Sequence, residues 1–195
     1  GYHKSVSIFA STPACHHHVT HYDLLVIVPG HEKRNIDELH DIIENRCKAE
    51  AVVTAIIFPI HRFNHLLEAG HPFCNEVVRA AKQWYDAGNT PLSSPGMFNS
   101  GSILLQSQQA FARWLGMAEE FLTGAELYCN RKQFNMAAFM LHQVVERCYV
   151  GLVLVMTGYR PGTHNLDKLS RYVRVFSPAL ALIFPRNTNR EENIF

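Results

Sequence analysis

The chain has 195 residues, a formal net charge of +1 and an apolar fraction of 47%. That length holds one medium or two small domains with cores of their own, and the near-neutral balance excludes a global electrostatic pull toward nucleic acid or membrane. No uninterrupted apolar run approaches the length of a bilayer span, and no signal-peptide pattern is present.

Taken in order, Lys4–Phe9 alternates and reads as a short strand, and residues 11–21 read as loop. Tyr22–Val28 is a nearly continuous apolar run that suits a buried strand, ended by Pro29 and Gly30. Asn35–Cys47 carries Ile36, Leu39, Ile42 and Ile43 at helical spacing. Ala51–Phe58 is a second β-branched run closed by Pro59. Two short helices are expected over Arg62–Ala69 and Phe73–Asp86, the second with Phe73, Val77, Ala81 and Trp84 on one face. Strand, strand, helix, strand and helices make an α/β unit.

Asp86–Ser102 is rich in Gly, Pro, Ser and Asn and reads as an exposed linker joining two separately packed units. Beyond it, Phe111–Tyr128 is a long amphipathic helix. The tight connection Asn130–Gln133 sends it back antiparallel against a second helix over Phe134–Thr157. Gly158 supplies a left-handed stop, and Pro161 prevents resumption. A third helix covers 166–176, and Ser177-Pro178 starts a short fourth. Thr188-Asn189-Arg190-Glu191 has the capping-box pattern. With Gly1 read as an expression scar, the expectation is a fragment truncated at its C-terminus. The five cysteines are scattered and odd in number with no Cys-x-x-Cys, so reduced thiols in a cytoplasm are the simplest reading.

The second half resembles the HEPN family. The carrying residues are Ala138, Gln143 and Glu146 in the helix, then Gly158, Tyr159, Arg160, Pro161, Thr163, His164, Asn165 and Leu166 in the turn. The resemblance implies an antiparallel all-α helical bundle that is often dimeric, and hence a homodimer through the bundle. The first half resembles the minimal nucleotidyltransferases, which are often fused to HEPN domains. Ala10-Ser11 falls where that family has Gly-Ser, and His21-Tyr22-Asp23 where it has Asp-x-Asp. The expected organisation is therefore α+β: a degenerate nucleotidyltransferase-like domain over 1–88, a linker over 89–101 and a HEPN bundle over 102–195.

Nucleotidyl transfer needs two hard cations, and magnesium prefers carboxylate and water oxygens. His21 offers neutral nitrogen where the resemblance implies an acid. The strand Ala51–Phe58 supplies no third acid, Thr54 being its only polar side chain. Ser11 and Asp23 are read as relics, Asp23 either a former magnesium ligand or a strand-start residue. Cys15 with His16, His17, His18 and His21 offers a zinc or transition-metal reading, but a solvated loop is favoured because adjacent histidines seldom all reach one ion. Gln143 and Glu146, three residues apart, share a face and form either a satisfied polar pair or part of a nucleotide pocket. Arg160 and His164 have the residue types of the HEPN nuclease signature, Arg-x₄₋₆-His. Their gap of three residues and their place in the turn favour a role in shaping it.

The candidate nucleotide contacts are thus Ser11, Asp23, Gln143, Glu146, Arg160 and His164, with magnesium and a nucleotide as the implied ligands. The function expected is a non-catalytic nucleotide-binding or protein-interaction module. Two active readings compete with it: a nucleotidyltransferase acting on protein, RNA or a small acceptor, and a HEPN ribonuclease or toxin–antitoxin component.

Overall fold

A computed structural model describes residues 21–88, 91–97, 100–181 and 183. The expected strand at Lys4–Phe9, Ser11, the 15–18 Cys/His cluster and the capping-box pattern at Thr188 lie outside these.

The described chain is mixed α+β, a two-stranded parallel sheet followed by a helical region. Strand β1 (His21–Val28) leads through helix α1 (Ile36–Cys47) to strand β2 (Val52–Pro59). Asn35 caps α1 in a full capping box: its side chain accepts from the Glu38 N–H at 2.7 Å, and the Glu38 carboxylate accepts from the Asn35 N–H. The strands pair in register from His21–Val52 to Val28–Pro59, which sets Asp23 beside Thr54.

Period-two alternation in β2 explains how both sheet faces become covered. Val53, Ala55 and Ile57 pack with Leu39 of α1 in one apolar cluster. Phe58, with Ile56 against it, belongs to the main core. That core joins Phe63 and Leu67 of α2 (Ile60–Glu68) and Phe73, Cys74 and Val77 of α3 (Pro72–Ala80) to residues from beyond position 100. Trp114 comes from α4 (Ser100–Asn130), Tyr149, Val150 and Val153 from α5 (Phe134–Thr157), and Leu169, Tyr172 and Val173 from α6 (Leu166–Val173). The hydroxyl of Tyr172 donates to the Ala55 carbonyl at 2.8 Å, and that of Tyr149 to Leu180 in the short α7 (Pro178–Ala181) at 2.9 Å. The apolar core therefore runs across the expected linker instead of forming two separate units. Two parallel strands and one helix cannot cover the outer face of β2 by themselves, and the later helices do so.

The described part of the linker is mostly exposed, with Met97 94% accessible. It is tied down at two points: the Ser93 N–H donates to Asn64 Oδ1 at 3.0 Å, and the Gly96 N–H to the Leu67 carbonyl at 2.9 Å. Two bounds differ from expectation by more than three residues. Helix α3 stops at Ala80 because Ala81 turns to an extended conformation (φ −71°, ψ 144°), so Trp84 leaves the phase of Phe73 and Val77 and lies 64% exposed against the edge of Tyr22. Helix α4 begins eleven residues before Phe111, at Ser100, through a stretch with apolar and polar residues intermixed.

Helix α4 turns through Arg131–Gln133 into α5. Met140 of α5 lies against Gly124 near the turn, and Trp114 against Gly151 far from it. A Cβ on Gly151 would sit 2.6 Å from Trp114 Cβ, so only glycine lets the two helices meet there. Gly158 (φ 71°) ends α5 in the left-handed region as the sequence predicts, its N–H donating to Leu154 at 2.8 Å.

Candidate functional site: a cleft at the end of strand β2

Where β2 ends, the loop 158–165 and helices α4 and α5 enclose a cleft of about 560 Å³. This is within the range of about 300–1,000 Å³ typical of small-molecule sites. Parallel sheets favour ligands in crevices outside the carboxyl ends of their strands. Ile57, Phe58 and Pro59 form one wall, Val150 and Leu154 of α5 another, with Trp114 behind them. Among the described residues three arginines line it: Arg62 in the first turn of α2, Arg147 on α5 and Arg160 in the loop.

Glu146 is the polar centre, 1% exposed and fully partnered. His164 Nδ1 lies 3.0 Å from Oε1, and Gln143 Nε2 donates to Oε2 at 3.3 Å. Arg147 Nη1 stands 3.4 Å from Oε1, while Nη2 donates to Gln143 Oε1 at 3.0 Å. With Nδ1 turned to Glu146, the His164 Nε2 is left for other contacts. A buried carboxylate needs this density of donors. The Arg147 guanidinium lies 5.7 Å from the Trp114 ring centre and 5.8 Å from that of Phe121, and Arg160 lies 5.5 Å from Trp114. Trp114 thus positions two cations at once. Arg147 Nε is buried without a hydrogen-bond partner among the described residues.

The loop is fixed from both sides. Arg62 Nη2 donates to the Gly158 carbonyl at 2.8 Å. The Tyr159 hydroxyl is 2.6 Å from His40 Nε2, and its ring packs edge-on to Phe58. Burial pushes the Tyr159 phenol up and His40 down from 6.5, so both stay neutral and bond to each other without charge. Asn165 caps α6, accepting from the N–H groups of Asp167 and Lys168.

Four of the candidate residues therefore converge: Glu146, Arg160 and His164 line the cleft, and Gln143 supports Glu146 from behind. Asp23 is not brought to them. It is half-exposed on β1, 3.1 Å from His21 Nε2 and 3.7 Å from Arg174, while His21 also bonds Thr54 at 3.0 Å. One carboxylate beside a guanidinium is a poor donor set for magnesium. Among the described residues, no group of three His, Cys, Asp or Glu side chains is placed to hold a metal ion.

Sequence reading missed Arg62, Asp37 and Trp114 as cleft residues. Asp37 looks like ordinary first-turn acid chemistry and Trp114 like core. The one available signal was Arg62, which lies just past the carboxyl end of a buried strand.

A HEPN domain is found at residues 111–189, from the middle of α4 to beyond α7, and no nucleotidyltransferase domain is detected in the chain. No curated protein and no solved structure matches it. By length and composition α5 could cross a bilayer, but its Glu146 and Arg147 are occupied in the cleft and its buried side is part of the core.

Proposed function

We propose that the protein is a nucleotide-binding module whose ligand occupies the cleft at the end of β2. The HEPN domain points to a nucleotide- or RNA-related role. The observation that carries the reading is the pairing of arginines with an apolar wall in one cleft of ligand size. Arg147 is neutralised by Glu146, which leaves Arg62 and Arg160 as the cations for phosphate. Pro59 and Leu154, both partly exposed at the cleft, offer an apolar surface for a base. The reading is non-catalytic with respect to nucleotidyl transfer. Asp23 alone cannot hold two magnesium ions, and each missing electrostatic group of that kind typically costs about 3 kcal/mol of transition-state stabilisation. A degenerate nucleotidyltransferase origin for the first half accords with His21 and Thr54 standing beside Asp23. A cytoplasmic setting accords with Cys47, Cys74, Cys129 and Cys148 all being free.

Calorimetric titration with nucleoside 5′-phosphates tests the reading. Binding should weaken about tenfold or more in Arg160→Ala and in Arg62→Ala, and Asp23→Asn should leave it unchanged. Labelled ATP with magnesium or manganese should give no transfer to protein or RNA. Transfer abolished by Asp23→Asn would overturn the non-catalytic reading.

The module also pairs with a second copy in this reading. Leu104, Phe111, Leu115 and Leu122 are exposed along one line of α4, about 27 Å long, with exposed Glu119 beside its lower half. Phe134 and Leu141 extend exposed apolar surface along α5. Apolar surface of this extent favours association. Light scattering should give a dimer that Phe111→Glu with Leu115→Glu converts to monomer.

A further inference from the structure

We infer that the cleft selects ribonucleotides over deoxyribonucleotides, with Asp37 accepting the vicinal hydroxyls of the ribose. The inference rests on the nucleotide reading above and adds the sugar class.

Among the described residues, Asp37 is the only acid lining the cleft besides Glu146. Glu146 is closed to a ligand, since it is buried and both of its oxygens are already engaged. Asp37 is the opposite case: it is exposed, and among the described residues its carboxylate accepts no hydrogen bond. Its position is nonetheless defined. The carboxylate lies against Gly162 in the 158–165 loop, where a Cβ would collide with Oδ1 and approach Oδ2 to 3.2 Å. A glycine at that point leaves the carboxylate its place at the cleft wall.

The chemistry sorts the two ends of a nucleotide. Asp37 and Glu38 put negative charge in the first turn of α1, and the capping box already uses the Asn35 and Glu38 N–H groups. That helix end therefore repels phosphate, even though a bare helix N-terminus would attract it. Phosphate is directed to Arg62 and Arg160, and an uncharged hydrogen-bond donor to Asp37. A carboxylate has two acceptor oxygens, and a ribose 2′,3′-diol offers two hydroxyl donors at matching separation. Without the 2′-hydroxyl only one of the two bonds can form.

The test compares adenosine and guanosine 5′-monophosphates with their 2′-deoxy forms, by titration of the intact wild-type protein. The ribonucleotides should bind about tenfold more tightly. Asp37→Asn should bring the ratio close to one chiefly by weakening the ribo form, and circular dichroism checks that α1 is retained. Equal binding of ribo and deoxy forms by the wild type would overturn the ribose inference while leaving the nucleotide reading standing. So would an Asp37→Asn variant that keeps the ratio. If neither form binds, the nucleotide reading itself fails and takes this inference with it.

Discussion

Asp23 and Glu146 are both acids placed beside a histidine and an arginine, yet their surroundings differ in kind. Glu146 is closed off from water, with Gln143, Arg147 and His164 around it. Asp23 is half-exposed at the start of β1, with His21 at 3.1 Å and Arg174 at 3.7 Å. A buried carboxylate persists only where donors replace its hydration. An exposed one needs no such support, and its ion pair contributes little. Similar residue types therefore say little about importance until burial is known.

The largest expected effect tests that contrast directly. Glu146→Ala leaves Arg147 partly buried without its counter-charge and should cost about 3–5 kcal/mol in urea denaturation. A loss under about 1 kcal/mol would mean that water reaches the pair and that the contrast is overstated. Gly151→Ala comes next. The added methyl meets Trp114 Cβ at 2.6 Å, so α4 and α5 must separate, at about 1–3 kcal/mol. Because Trp114 also positions Arg147 and Arg160, ligand affinity should fall along with stability.

A pH effect should be smaller. Burial lowers the pKa of His40 and His71 from the ordinary value of 6.5. The unfolded chain then binds more protons than the folded one between the lowered value and 6.5. Stability is full above pH 6.5 and falls as pH drops through the folded values, by at most about 1.4 kcal/mol per pH unit for each group. His40→Gln should flatten the slope between pH 7 and 5, read from denaturant midpoints. An unchanged slope would mean that His40 is not held neutral. The smallest effect belongs to Asp23→Asn, which should shift stability by about 0.5 kcal/mol or less. A larger shift would show that Asp23 matters more than its exposure implies.

Much of this was legible in the sequence. Tyr22–Val28 and Ala51–Phe58 announced strands through continuous β-branched runs, and Phe134–Thr157 announced a helix through its three–four spacing. Gly158 marked its end because only glycine enters the left-handed region at no steric cost. Gln143 and Glu146 could be paired because three residues place two side chains on one helix face. These are local rules, acting over a turn or a pleat, and one sequence carries them in full.

What the sequence did not contain was which surfaces meet. Whether Trp84 is buried depended on where α3 stops, at Ala80. Whether the two halves pack apart depended on Ile56 and Phe58, whose face of β2 must be covered by something distant. Arg62, Trp114 and Asp37 are remote from Glu146 along the chain and share a cleft with it only after β2, α4, α5 and the 158–165 loop are assembled. The sequence by itself determined the elements and their local stops, since backbone sterics and side-chain periodicity operate within a few residues. The tertiary structure alone decided the core and the cleft, because burial is a property of surfaces brought together from far apart.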